Sequence, residues 1–393
     1  MKAKYYIFFV LLLSSFYGIA QKNYWTISGI VVEDKKTPIQ SANVFINNTS
    51  IGASTTEKGN FQLNVPAYFS QAELIISVVG FKTLKRKINY SSEVQVFKFQ
   101  LEKSDLPNDA ISTAIQDKDW PEKWKIFETV LLGDSKFAKD CKILNAKVVK
   151  LEYDKDKKLK ASAKEPILIK NAALGYKILL QLDKFETDGV KTTLSGLKYF
   201  EKIDTANVSI NTRWEKNQRY VFNESFRSFL LALSLNKLAE NDYAVFKIVD
   251  TKLLDNKQTS VASEVKAGTL IPMDTTSICA FDKDVESFVL QSEYPLLVFM
   301  KKRYQDKPFF SDYPYKFAQI VLPKGYVAFS ENGLLNRSSN IVLKDHWSFR
   351  GVANMLPEDF DIVGLIKETS DAAQIDKLDV EAPKKLSRLK RNR

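Results

Sequence analysis

Residues 27–65 read ISGIVVEDKKTPIQSANVFINNTSIGASTTEKGNFQLNV. Apolar and polar residues alternate in short runs, and each run ends at a proline, glycine or asparagine. Alternation with a period of two places successive side chains on opposite faces of an extended chain, so half-buried strands are expected. KKTP and EKG supply the turns. Gly59, like Gly80 further on, stands where a turn commonly needs a positive φ that glycine adopts without a Cβ clash. Working outward, WTISGIVVED forms the first strand, while ELIISVVGF and VQVFKFQLE complete a set that ends near Leu101. Short Val-, Ile- and Phe-rich runs punctuated every roughly 8–12 residues predict an Ig-like antiparallel β-sandwich over residues 21–104.

These residues resemble the carboxypeptidase regulatory-like domain, a module found at the N-termini of Bacteroidetes outer-membrane proteins, including TonB-dependent SusC-like receptors. The resemblance rests on Gly29, the Pro38–Ile39 pair, Ala42–Val44, Thr49, Gly52, Gly59–Phe61 and Gly80–Phe81. It implies a transthyretin-like sandwich without catalytic residues. Thr56 departs from the pattern, which carries Asp before the turn glycine; threonine can hydrogen-bond the turn backbone more weakly. The receptor comparison stops at this module. The remaining chain holds helical segments and too few strands for the large closed barrel a receptor requires.

After EKSDLPNDAIS the pattern changes. Asp119 and Glu122 have capping-box spacing around a first-turn proline, and Trp124, Phe127, Val130 and Leu131 share one face before Gly133 stops the helix. A second helix is expected at 223–240, capped by Asn223, with Phe226, Phe229, Leu230, Leu233 and Leu238 on one side. Strands are read in a hairpin turned by DKDK, in LGYKILLQLDKF, TTLSGLKYF, YAVFKIVDTKLL, YPLLVFMKKRY, KFAQIVLP and YVAFS, and in the KDHWSFRG segment. Residues 105–378 are therefore expected to form a larger, strand-rich α+β domain with about two helices. CKILNAKVVKLEYD, LGYKI and MLPEDF resemble an uncharacterised region that follows the same module in Flavobacteria-type proteins, which implies no activity.

The two ends read differently. Lys2 and Lys4, the apolar run Tyr5–Leu13, and the small residues Gly18 and Ala20 before Gln21 form the three parts of a signal peptide over residues 1–20. A retained anchor is the alternative. An exported protein, periplasmic or outer-membrane associated, is expected, with secretion as the alternative. The formal charge of +11 is concentrated at the ends. Lys384, Lys385, Arg388, Lys390, Arg391 and Arg393 crowd a tail without acids, and without them and the signal lysines the body is near neutrality. The tail, residues 379–393, reads as a disordered basic strip able to touch an anionic membrane surface or an acidic partner. Nucleic acid is not an expected partner outside the cytoplasm. Cys141 and Cys279 permit one disulfide in an exported chain; two free thiols fit equally.

Catalytic chemistry finds little support. A zinc peptidase site needs two histidines and a carboxylate as a rule, whereas His346 is the single histidine of 393 residues. His346 could serve a Ser or Cys nucleophile, but it is read as an alternating strand residue between Asp345 and Trp347, and no nucleophile elbow occurs. Neither phosphate-loop pattern is present. Glu186 and Asp188 before Gly189 suit an ordinary hairpin turn better than a calcium loop, and Glu358, Asp359 and Asp361 are acids near one another without a mark of catalysis. Trp25, Trp120, Trp124, Trp214 and Trp347 are expected mainly in cores, with a sugar-stacking platform as the alternative. No catalytic, cofactor or metal residue is assigned. The expectation is a non-catalytic, exported envelope protein of binding or structural role, with an envelope protein or glycan as partner. A periplasmic hydrolase acting on peptide or glycan is the alternative, and an assembly factor tethered by its basic tail is a third reading.

Overall fold

A computed structural model describes residues 24–33, 36–104, 117–189, 191–249, 270–304, 315–336, 339–348 and 350–362. The signal segment 1–20 and the basic tail 379–393 lie outside the described residues. The chain divides into two compact units, one of Met1–Ser112 with Leu197–Glu201, the other of Thr113–Gly196 with Lys202–Arg393.

The first unit is a sandwich of seven strands: β1 (Tyr24–Val32), β2 (Asn43–Ile46), β3 (Gly52–Ser54), β4 (Asn60–Pro66), β5 (Gln71–Ser77), β6 (Leu84–Asn89) and β7 (Gln95–Gln100). One sheet has the order β4-β1-β7, the other β3-β2-β5-β6. All pairings are antiparallel except β1–β7, which is parallel. The core rows are those the alternation marks: Ile27, Val31, Phe61, Leu63, Val65 and Phe99 from one sheet, Val44, Ile46, Leu74 and Ile76 from the other, all buried. At about 25 cal/mol per Å² of apolar area removed from water, these rows supply most of the drive to close the sandwich. β6 carries Lys85, Arg86 and Lys87 in sequence, which hid it from a reading based on apolar alternation.

The turn before β4 works as its residues suggest. Gly59 has φ +74°, and a Cβ there would come within 2.5 Å of the Val31 carbonyl. Thr56 Oγ1 accepts from the Asn60 amide at 3.1 Å, so the threonine that departs from the family pattern does support this turn. Leu197–Glu201 is part of the same unit. Asn48 N donates to Lys198 O at 2.8 Å, Phe200 N to Thr49 O at 3.0 Å, and Lys198 N to Asn47 Oδ1 at 3.0 Å. Leu197 and Tyr199 cover the outward-facing pair Phe45 and Ile75.

The second unit contains β8 (Cys141–Ile143), β9 (Val149–Tyr153), β10 (Leu159–Ala163), β11 (Ile167–Asn171), β12 (Tyr176–Thr187) and β13 (Thr192–Lys202, apart from the five residues above). They give the order β8-β11-β12-β10-β9, with β13 on β12. It continues with β14 (Tyr243–Ile248), β15 (Leu270–Met273), β16 (Cys279–Asp282), β17 (Ser287–Gln291), β18 (Leu296–Tyr304), β19 (Tyr315–Val321), β20 (Tyr326–Phe329) and β21 (Val342–Asp345). These form the sheets β15-β14-β18-β19-β21 and β16-β17-β20. The strand-rich class is as the sequence predicts, but there are four helices among the described residues rather than about two: α1 (Trp120–Leu132), α2 (Val208–Asn223), α3 (Phe226–Ser234) and α4 (Thr275–Ile278).

The helix expected at 223–240 corresponds to α3, which starts later. Ser225, not Asn223, is its N-cap and accepts from the Ser228 amide. Phe229, Leu230, Leu233 and Leu238 enter a core with Tyr243, Val298, Ile320 and Trp347, and Phe226 packs partly buried against it. On α1, Phe127 and Leu131 are buried, whereas Asp119 makes no capping hydrogen bond with its side chain. α2 carries little apolar periodicity, since its buried residues are Trp214, Val221 and Phe222. Its side chains instead donate to a turn, Trp214 Nε1 to Ala172 O at 2.8 Å, Asn217 Nδ2 to Ala173 O at 2.8 Å and Gln218 Nε2 to Leu174 O at 2.7 Å. Hydrogen bonds of this kind leave no apolar periodicity in a sequence.

Candidate functional site

Two places concentrate what the chain could use: the edge strand β7 of the sandwich, and a buried ionic cluster around Glu224 in the second unit.

The motif residues of the sandwich turn out to be framework. Gly29 lies in β1 opposite Phe97, and a Cβ there would press on the Phe97 carbonyl. Thr49 is fully buried, donating from Oγ1 to Ile46 O at 2.9 Å and accepting from Ile51 N at 3.0 Å. Gly52 leaves room for the Tyr199 ring, 2.6 Å from where its Cβ would be. Phe61 stacks on Phe99 with centroids 6.1 Å apart. Gly80 has φ +87°, and Phe81 bridges to Lys103.

The ends of the two sheets differ in chemistry. β6 presents Lys85 and Lys87 outward, and Arg86 occupies the inward row between Leu84 and Ile88. Lysines on an edge and an inward-pointing charge both oppose the docking of another strand. β3 is three residues long, and β4 exposes the amide side chains of Asn60, Gln62 and Asn64 before ending in Pro66. β7 alone among these ends exposes aliphatic side chains: Val96 is 76% exposed, and Val94 just before the strand is 60% exposed. Gln95 O accepts from Ser28 Oγ, and Phe97 O approaches Gly29, so odd-numbered residues turn their backbone groups toward β1. In a parallel pair the N–H and C=O of one residue point to the same side. The backbone groups of Val96, Lys98 and Gln100 therefore point away from β1, and β7 carries one exposed lysine where β6 carries three consecutive basic residues.

In the second unit His346 does not continue β21. Asp345 has φ +58°, a left-handed conformation that ends the strand, and His346 follows in a turn. The expected alternation of Asp345, His346 and Trp347 is thus broken. His346 is 8% exposed, and its Nε2 lies 3.0 Å from Glu224 Oε2. Lys316 Nζ, on β19, binds the same oxygen, and Arg350 Nη1 donates to His346 Nδ1 at 2.9 Å. An arginine can only donate. His346 Nδ1 must therefore hold a lone pair and Nε2 the proton, which makes the ring neutral.

Burial alone would raise the Glu224 carboxyl, yet the hydrogen bonds from His346 and Lys316 overcome it and bring the pKa down to about 2. Burial pushes His346 below its ordinary value; the hydrogen bond and charge of Glu224 pull it up, while Arg350 and Lys316 push it down. Glu224 also caps the C-terminal end of α2, where a carboxylate opposes the helix dipole. Trp347 Nε1 donates to its backbone oxygen at 3.2 Å. The cluster ties the α2–α3 corner to β19 and the turn after β21. Among the described residues no serine or cysteine bonds to His346, whose ring partners are Glu224 and Arg350.

The remaining candidates separate. Cys141 and Cys279 are both free thiols, so the permitted disulfide is not formed; they sit in strands of different sheets. Glu186 pairs with Lys158 at 3.1 Å and Lys184 at 3.5 Å, and Asp188 Oδ1 accepts from Lys191 N at 2.6 Å, as in an ordinary hairpin turn. Trp25, Trp214 and Trp347 are buried, while Trp120 and Trp124 stack on one another at 5.0 Å and are partly exposed. Among the described residues no group of three or more His, Cys, Asp or Glu could hold a metal ion.

The class follows from the first unit: a two-sheet Ig-like sandwich whose motif glycines and threonine serve turns and close packing. Residues 27–111 are matched by the family model of the CarboxypepD_reg-like domain, a regulatory, non-catalytic module. No curated protein matches the chain. Among solved structures, a cohesin–X-dockerin type II complex from Acetivibrio cellulolyticus shares 17% identity over 29% of this chain and 78% of that one, with a TM-score of 0.18. A Bacteroides fragilis protein, described as membrane-associated and of unknown function, shares 14% over 45% and 95%, with a TM-score of 0.16. The Bacillus anthracis TIE protein shares 13% over 46% and 31%, with a TM-score of 0.17. Such scores lie well below those of a shared overall fold.

Proposed function

We propose that the protein is an exported, non-catalytic cell-envelope protein whose sandwich is an interaction module and whose larger unit binds an envelope protein or glycan. The observation that carries the reading is the contrast among sheet ends. β6 is guarded by Lys85, Arg86 and Lys87, whereas β7 has the single Lys98 and offers outward backbone groups beside Val94 and Val96. A partner segment in extended conformation would pair with β7 through main-chain hydrogen bonds and lay alternate apolar side chains beside Val96. Export is supported by the signal-like residues 1–20, and the basic tail from Lys384 to Arg393 supports weak, salt-sensitive contact with an anionic membrane surface.

Val96→Pro tests the strand-addition mechanism. The substitution removes an N–H that points away from β1, at an edge position where proline is tolerated. The sandwich is expected to keep its thermal midpoint to within a few degrees while capture of the partner through β7 is lost. Unchanged capture by a folded Val96→Pro protein would overturn strand addition at β7.

A further inference from the structure

We propose that the contact between His346 and Arg350 is a latch, closed only while the ring is neutral, and that acidification releases Arg350 together with the turn Gly351–Asn354. The geometry permits one protonation state. Arg350 Nη1 donates to Nδ1 at 2.9 Å while Nε2 meets Glu224 at 3.0 Å. A second proton would have to sit on Nδ1, and two donors, both cationic, would then face each other across the contact. Among the described residues the charged groups that act on the ring are Glu224 from the end of α2, Lys316 from β19, and Arg350 from the segment after the turn, while Asp345, its neighbour in the chain, is a carboxyl that burial pushes up. Lys316 is itself occupied by Glu224 and lies 3.5 Å from the Tyr220 hydroxyl, so it is not free to relieve a new charge.

Arg350 is joined to a closely fitted turn. Gly351 has φ +87°, and it and Gly133 pack backbone to backbone so tightly that a Cβ on either would collide with the other segment. Asn354 Nδ2 donates to Arg350 O at 3.0 Å, and the buried Asn171 Nδ2 holds Ala353 O at 3.1 Å. Loss of the Arg350 anchor removes one of the side-chain ties on this turn without touching β19 or α2. Because the chain has a single histidine, no other side chain has an ordinary pKa between those of the carboxylates and the cysteines. The folded ring binds its proton less readily than the unfolded one, whose value is near 6.5. The latch therefore contributes fully above that value and is lost as pH falls through the lower folded-state value.

The test follows the histidine ring of the full chain by carbon–proton NMR, where the one histidine assigns itself, alongside amide exchange at 351–354 corrected for intrinsic rates. The expected midpoint lies below 6.5, and protection at 351–354 falls by about tenfold or more through that midpoint while α2 stays protected. Arg350→Met leaves the buried ring in place. It is expected to raise the midpoint and to give 351–354 its acid-state exchange already at neutral pH. Titration of the ring without change at 351–354, an unmoved midpoint in Arg350→Met, or loss of protection throughout the unit at the same pH would each overturn the latch.

Discussion

Glu224→Gln is the most informative single change in the second unit. Glu224 is 15% exposed at its side chain and binds Lys316 and His346 through one oxygen. Its carboxyl moves from an ordinary 4.5 to about 2 in the folded protein. Each tenfold change in proton affinity corresponds to about 1.4 kcal/mol, so the ionised group stabilises the fold by about 3 kcal/mol at neutral pH. Because the folded value is the lower one, this contribution is present above 4.5 and lost as pH falls toward 2. Glutamine keeps the shape, loses the charge, and leaves Lys316 as an unpaired cation that is itself 15% exposed. Urea unfolding, followed by amide exchange across Val208–Ser234, should show the variant less stable by about 3 kcal/mol at pH 7, with the gap closing below pH 4.5. A gap below about 0.5 kcal/mol at pH 7, the scale of an exposed pair, would refute the reasoning. So would a gap of equal size at pH 3.

Other perturbations give opposite signs. Gln319, on β19 opposite Leu297, is fully buried, and among the described residues neither its amide nitrogen nor its amide oxygen has a partner. Gln319→Met should therefore stabilise the second unit by about 1–3 kcal/mol in urea unfolding, since an unpaired buried amide is a cost in the folded state; a destabilised variant would show that the amide is satisfied. Burial pushes the Cys141 thiol up to about 12 and Cys279 up to about 11. Both should resist alkylation in the native protein at neutral pH, and both should react after unfolding without reductant. A peptide joining the two cysteines in a non-reducing digest would contradict the free thiols.

The sandwich was legible because its signals are local. Alternation, a turn proline and turn glycines lie within each strand-turn-strand stretch, and β1 to β5 and β7 follow them. β6 is hidden because Lys85, Arg86 and Lys87 stand where an apolar row would mark a strand. α2 was hidden because its side chains bond to the carbonyls of Ala172, Ala173 and Leu174, a tie made by groups with no periodic signature. The cluster at His346 could not be read at all. Its partner Glu224 is 122 positions away, and the left-handed Asp345 that turns the ring inward follows no residue rule, since aspartate adopts φ > 0 only occasionally. The one available signal was the histidine's being single, which raises the question of its partners without answering it.

Strand addition at the β7 edge can be tested directly in cells. A photoreactive residue replacing Val96 in the tagged full chain, irradiated in cells, samples what lies beside that strand. Capture of one reproducible envelope partner is expected, with loss of that capture when 21–104 is deleted and the label is moved to the remaining chain, and with protection of the amides of Gln95–Gln100 when the partner is bound. Crosslinks only to abundant bystanders, or a captured partner that leaves those amides exchanging as before, would contradict strand addition at the sandwich edge.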